Sequence, residues 1–157
     1  LPDIERLFVI GLLHNVGKLV VLSQMPEKAQ AALQCKVTDD PWQREQDVLG
    51  FTFAECGAEL LAIWGLPEGL VESVRFQHTP QYAGDHKASS AVLHIASRAA
   101  SAMEQDISPE ENPDYLALID PDSWSMASVE QAYLEAAVVF ADQEAWNVLG
   151  AISSTVP

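Results

Sequence analysis

The punctuation of this chain constrains its fold more than any other feature. Pro26, Pro41, Gly50, Gly65, Pro67 and Pro80 cut the first half into short pieces, and within the pieces apolar residues recur at helical spacing. Proline removes a backbone donor and glycine readily takes the left-handed turn that closes a helix, so elements must begin and end near these positions. No stretch alternates apolar and polar residues for long enough to make a strand, and there is no internal repeat or low-complexity tract. The expected fold class is all-α.

Ile4, Leu7, Phe8, Ile10, Gly11, Leu12 and Leu13 form an apolar helix with few polar faces, followed from Gly17 by a second run, Leu19 to Leu22. A helix apolar all round belongs in a core. Pro26 starts an amphipathic helix through Ala29, Ala32 and Leu33 that should fade between Val37 and Asp40, with Trp42 anchoring the segment after Pro41. Thr52, Phe53, Ala54 and Glu55 make a capping box, in which hydroxyl and carboxylate satisfy orphan amides at a helix start. That helix should run from about 53 to 64, with Gly65 at its C′ position. Pro67 then suits the first turn of a helix carrying Leu70, Val71 and Val74, which should end near His78 because Pro80 comes next.

Ala88, Ala91, Val92, Ile95, Ala96, Ala99 and Met103 mark a core helix whose small residues let another helix approach closely. Residues 104–114 are acidic and carry Pro109 and Pro113, so they read as a solvated loop. Ser128, Val129, Glu130 and Gln131 form a second capping box, opening a long helix over 128–149 that Gly150 should stop.

A length of 157 residues suits one domain, spanning 1–157, and 48% hydrophobic against 20% charged residues is the balance of a folded globular protein. No apolar run approaches eighteen residues and no signal-peptide pattern is present, so the expected location is the cytoplasm, with no membrane partner. Cys35 and Cys56 lie in apolar-periodic segments without C-x-x-C spacing and read as buried thiols. A net charge of -15, with scattered basic residues, excludes nucleic acid as a natural partner and argues mildly against phosphate chemistry, while favouring basic protein surfaces. The sequence opens on Leu1, straight into an apolar-periodic segment, which leads us to expect a piece of a longer chain.

The residues richest in chemistry are Gly11, Leu12, Leu13, His14, Asn15, Val16, Gly17 and Lys18, where an apolar helix ends on adjacent polar side chains followed by a glycine. This stretch resembles the G-L-L-H-D-I-G-K signature of the HD phosphohydrolase superfamily, with Asn15 in place of the aspartate. Glu45, then Leu49 to Leu61, then Trp64, Gly65, Leu66 and Pro67, followed by Gln77, His78, Thr79, Pro80 and by Leu93, His94, Ile95, Ala96, Ser97, resemble one subfamily in order. They are similar to the HDOD domain, the HD-related output domain, over roughly Phe8 to Ser101. The resemblance implies a compact multi-helix bundle of HD-domain type and a sizeable helical portion ahead of the G-L-L-H segment. It also implies a metal site at His14, Asn15, Phe53, Gln77, His78 and Ser97, a glycine that lets the chain turn tightly behind the His-Asp pair, and a place for Lys18 near substrate phosphate.

Measured against that site, the donors run short. Asn15 offers a neutral oxygen for a carboxylate, Phe53 offers no lone pair, Gln77 replaces the first of two histidines and Ser97 the late aspartate. His14 and His78 alone fall below the three protein ligands that a catalytic zinc needs, and octahedral metals want carboxylates even more. The expectation is no bound metal, no cofactor and no catalytic residue. Plainer readings stand beside each residue: His14 as a hydrogen-bonded buried histidine, His78 as a helix C-terminal cap, Lys18 as a snorkelling lysine, and Phe53, Trp64 and Leu66 as core. His86 reads as a surface residue and His94 as a packing residue.

The expected function is that of a non-enzymatic regulatory or output module in bacterial signal transduction, acting through protein partners or through other domains of the same signalling polypeptide. The alternative is a metal-dependent phosphohydrolase of nucleotides or cyclic dinucleotides, with Glu45 or Asp85 filling the vacant positions. A third reading is an oligomerising fragment, a homo-oligomer held by apolar faces such as Ile4 to Leu13.

Overall fold

The computed structural model describes residues 3–34, 40–104 and 119–153, and among them it is all-α, with no strand. Helix α1 (Ile4–Leu13) is capped by Asp3, whose carboxylate accepts from the Glu5 amide. The turn at His14 and Asn15 leads into α2 (Val16–Gln24), and Met25 alone separates that from α3 (Pro26–Leu33), which has its proline in the first turn. Then come α4 (Pro41–Leu49), α5 (Phe53–Ile63) and α6 (Glu68–Arg75). Two short 3₁₀ turns, Pro80–Tyr82 and Gly84–His86, precede α7 (Lys87–Glu104); α8 (Pro121–Ala127), a 3₁₀ turn Gln131–Tyr133 and α9 (Leu134–Ser153) complete the order.

The caps explain the sharpest boundaries. Thr52 Oγ1 accepts from the Glu55 amide at 3.0 Å while Glu55 Oε2 accepts from the Thr52 amide at 2.7 Å, so the expected capping box is present. At the other end of α5, Gly65 takes φ +74°, its amide donates to Ala62 O and the Leu66 amide to Leu61 O. This closing pattern satisfies two orphan carbonyls and needs the left-handed residue to be glycine.

Among the described residues, three apolar clusters hold the helices. Ile10, Leu61, Val71, Val74 and Leu93 join α1, α5, α6 and α7; Val21, Ala29, Ala32 and Phe53 join α2, α3 and α5; Ala91, Ile95, Ile119, Ala127 and Leu134 join α7 to the C-terminal elements. Burying a side chain such as Leu61 or Ile10 contributes about 2 kcal/mol each. Gly17 sits at the α2–α5 crossing, where an added Cβ would stand 2.1 Å from Phe53 O and 2.4 Å from Gly57 N. Its φ is not in the left-handed region, so this glycine serves close helix approach rather than the tight turn implied by the resemblance.

Several other expectations are corrected. The α1–α2 segment is not buried all round: Ile4, Phe8, Leu12 and Leu19 are each more than 60% exposed, and only Ile10, Gly17 and Val21 are buried. Taken as one stretch, Ile4–Gln24 is long and apolar enough to pass by length and composition as a membrane span, which no uninterrupted apolar run reveals; His14 and Asn15 break it. Trp64 is 56% exposed, while Leu66 does pack on the core. Residues 41–49 form a helix that apolar spacing does not predict, and the same holds for α8.

The second capping box does not exist. Ser128 ends α8 at φ 53°, its amide donating to Ser125 O, and α9 starts only at Leu134 and runs past Gly150 to Ser153. The region read as loop begins with Glu104, which is the last residue of α7; 105–114, like Cys35, lies outside the described residues.

Candidate functional site

The end of α1, the chain after α6 and the middle of α7 meet around Gln77 and His78. Gln77 is buried, and its Nε2 donates to His14 O at 3.3 Å and Val74 O at 3.2 Å, stitching the first HD-motif turn to the second. His94, also buried, donates from Nδ1 to Gln77 O at 2.9 Å and accepts at Nε2 from the Asp120 amide at 3.4 Å. That assignment makes His94 a neutral imidazole with both nitrogens used. Burial lowers its pKa, with Arg98 adding to the fall, while the Gln77 carbonyl, Asp120 and Asp40 oppose it. The expected packing residue thus ties α7 to the loop after α6 and to the start of α8.

His78 lies two residues beyond Phe76, the C-terminal cap of α6, and is not a helix cap. Its ring stacks on Trp42, centroids 4.8 Å apart and planes 13° from parallel, and Trp42 also meets His94 edge-on at 6.3 Å. The Arg98 guanidinium lies 5.5 Å over the Trp42 ring. Burial, and then the nearby His94, Arg98 and His14, push the His78 pKa down to about 3, so it is neutral near pH 7; its buried Nδ1 has no hydrogen-bond partner.

The side chains at the remaining motif positions turn to partners of their own. His14 is half-buried and its Nδ1 donates to Gly11 O at 2.6 Å, a local turn bond. Asn15 is exposed, without a side-chain cap to α2. Phe53 lies in the α2–α3–α5 core, as its plainer reading held. Ser97 Oγ donates back to His94 O at 3.0 Å. Lys18 is half-buried and its charge acts on Glu45.

Glu45 does not fill a vacant ligand position. It is buried on α4, and its Oε2 accepts from the Phe53 amide at 2.7 Å, so it caps α5 across the helix boundary. Burial raises its pKa to about 7, opposed by the Phe53 hydrogen bond and Lys18, with Glu55 adding to the rise. Asp85 is exposed in the 3₁₀ turn Gly84–His86. His86 is half-buried rather than a plain surface residue, its Nδ1 3.3 Å from Arg6 Nη2, and Arg6 lies over Gly69. Cys56 is half-buried against the α2–α3–α5 core, and burial raises its pKa.

The donor set does not fit a metal. Among the described residues no three His, Cys, Asp or Glu side chains converge, and the one buried imidazole nitrogen without a partner, His78 Nδ1, belongs to a ring whose pKa the Arg98 cation helps to lower. A guanidinium stacked on Trp42 is the opposite of the carboxylate that hard cations require. Motif reasoning misses Trp42 and Arg98 as members of this site. The available signal was Arg98 four residues after His94, one helical turn on, and Trp42 directly after a helix-starting proline.

The HDOD domain model matches residues 1–80, just over half of the sequence. The chain belongs to the HDOD family. The family match stops at Pro80, so the likeness drawn through Leu93 to Ser97 and on to Ser101 lies outside it. A solved structure of a phosphohydrolase candidate from Shewanella amazonensis SB2B matches 86% of this chain with TM-score 0.64 and 25% identity. That likeness supports HD-superfamily relation for this HDOD chain. An uncharacterised protein of Treponema pallidum (strain Nichols) is 32% identical over 78 residues. The HDOD chain spans 49% of the Shewanella structure and 15% of the Treponema protein.

Proposed function

We propose that this HDOD chain is a non-enzymatic regulatory or output module of bacterial signal transduction, working in the cytoplasm through contacts with protein partners or with other domains of a longer signalling polypeptide. The observation that carries this reading is the stacking of His78 on Trp42, with the Arg98 cation over the same indole. Catalysis on phosphoesters by the HD scaffold depends on a cation that supplies a nucleophilic hydroxide and clamps the developing charge. Here the second-motif imidazole is packed against an indole, and a guanidinium lies over that same indole. The net charge of -15 agrees, because it disfavours capture of anionic nucleotides and favours basic protein surfaces.

The alternative, a metal-dependent phosphohydrolase, draws support from the description of the Shewanella structure. The two separate by turnover. Incubated with Mn, Mg, Zn or Fe ions and a panel of nucleotides, cyclic dinucleotides and a chromogenic phosphodiester, the chain should give product no faster than the buffer with metal alone. Turnover that disappears in a His14→Ala, His78→Ala double variant would establish the hydrolase instead.

A further inference from the structure

All eight Lys and Arg residues lie at or before Arg98, while eleven of the 23 acidic residues come after it, so the basic residues are confined to one part of the sequence and the final 59 residues contain none. Within this acidic part, Leu134 is buried and Val138 half-buried against the α7–α8 cluster, which pins the first turns of α9. Beyond that anchor residues 139–147 are exposed: Val139 is 57% and Trp146 68% accessible, and Glu135 and Asp142 are exposed as well. Glu135, Val139, Asp142 and Trp146 are spaced by four, three and four residues. At about 100° per residue this puts all four within a sector of about 60°, one continuous face in which apolar and acidic side chains alternate.

From this face we propose that α9 docks a basic amphipathic helix of a protein partner, its apolar side against Val139 and Trp146 and its Lys or Arg residues against Glu135 and Asp142. An indole flanked by carboxylates suits a cationic side chain twice, through ring-face attraction and through ion pairing. A second copy of this chain meets like charge across the same face, and an anionic bilayer is repelled by it. The assignment names the surface and partner chemistry of the protein-interaction role proposed above and rests on that reading.

The test uses the full chain and a fluorescein-labelled amphipathic helical peptide of leucine and lysine, with binding read by anisotropy and folding of every variant checked by circular dichroism. The double reversal Glu135→Lys, Asp142→Lys and the single change Trp146→Ala should each weaken binding about tenfold. The double reversal Glu27→Lys, Glu68→Lys on α3 and α6 changes net charge equally and should weaken it less than about threefold, because distant exposed charges are screened. Equal weakening by the two double reversals would overturn the proposal in favour of a general acidic field. So would an unchanged affinity in Trp146→Ala, or a dimer in sedimentation that Trp146→Ala dissociates. Failure here with no phosphoester turnover removes the surface assignment and leaves the regulatory reading standing, whereas turnover removes that reading whatever the peptide does.

Discussion

Gly17 shows how one residue of a motif can be kept for packing. An added methyl would meet backbone atoms of Phe53 and Gly57 rather than a flexible side chain, so relief requires α2 and α5 to move apart. Gly17→Ala should destabilise the chain by about 2–3 kcal/mol, read from the urea midpoint. Two titrating groups shifted by desolvation, buried Glu45 and half-buried His78, set opposite pH dependences. Glu45 has a folded pKa of about 7 against 4.5 when free, so its stabilising contribution is complete below 4.5 and is lost as pH rises through 7. Relative to Glu45→Gln, wild-type stability should fall by about 3 kcal/mol between those values. His78 has a folded pKa of about 3, below its usual 6.5; its contribution is complete above 6.5 and is lost as pH falls towards 3. A His78→Phe variant keeps an aromatic partner for Trp42 and should lose that acid-side decline in a series of urea midpoints from pH 7 to 4. The absence of a donor at Phe53 and of a carboxylate at position 97 is legible from residue identity alone. The placement of Glu45 as a cap for α5 is not, because it depends on a hydrogen bond eight residues away across a helix boundary.

At the scale of elements, the boundaries that sequence locates best are those where side chain and backbone satisfy each other locally. Thr52 and Glu55 are such a pair, and Thr52→Ala should lower stability by about 1 kcal/mol with α5 otherwise intact, measured by thermal and urea unfolding. The same four-residue spacing misleads at Ser128 to Gln131. There, α8 reaches Ala127 and uses Ser128 as its left-handed terminus, so no helix can start on it. Helix α8 escapes a periodicity search because it is only seven residues long, and α4 because Trp42 and Val48 are its few apolar residues before Leu49. Apolar content overstated burial in α1: Ile4, Phe8 and Leu12 succeed one another at four-residue spacing on a single exposed face, which hydrophobicity without a partner cannot distinguish from core.

For the whole molecule, an all-α architecture is dictated by the punctuation and the helical spacing, and the HD-type arrangement by the ordered motifs in the first 80 residues. The decisive feature of the site is less visible in the sequence. It arises when α4 brings Trp42 against both His78 and Arg98, residues that come from different parts of the chain and carry no shared spacing. The result is an HDOD scaffold in which the imidazole kept at the second motif stacks on an indole that also carries a guanidinium. Elemental analysis of the chain after incubation with zinc, manganese and iron and then desalting tests this directly. Well under one metal ion per chain is expected, with the same residual level in His14→Ala and His78→Ala; one ion per chain, lost in those variants, would mean that the site still binds a cation.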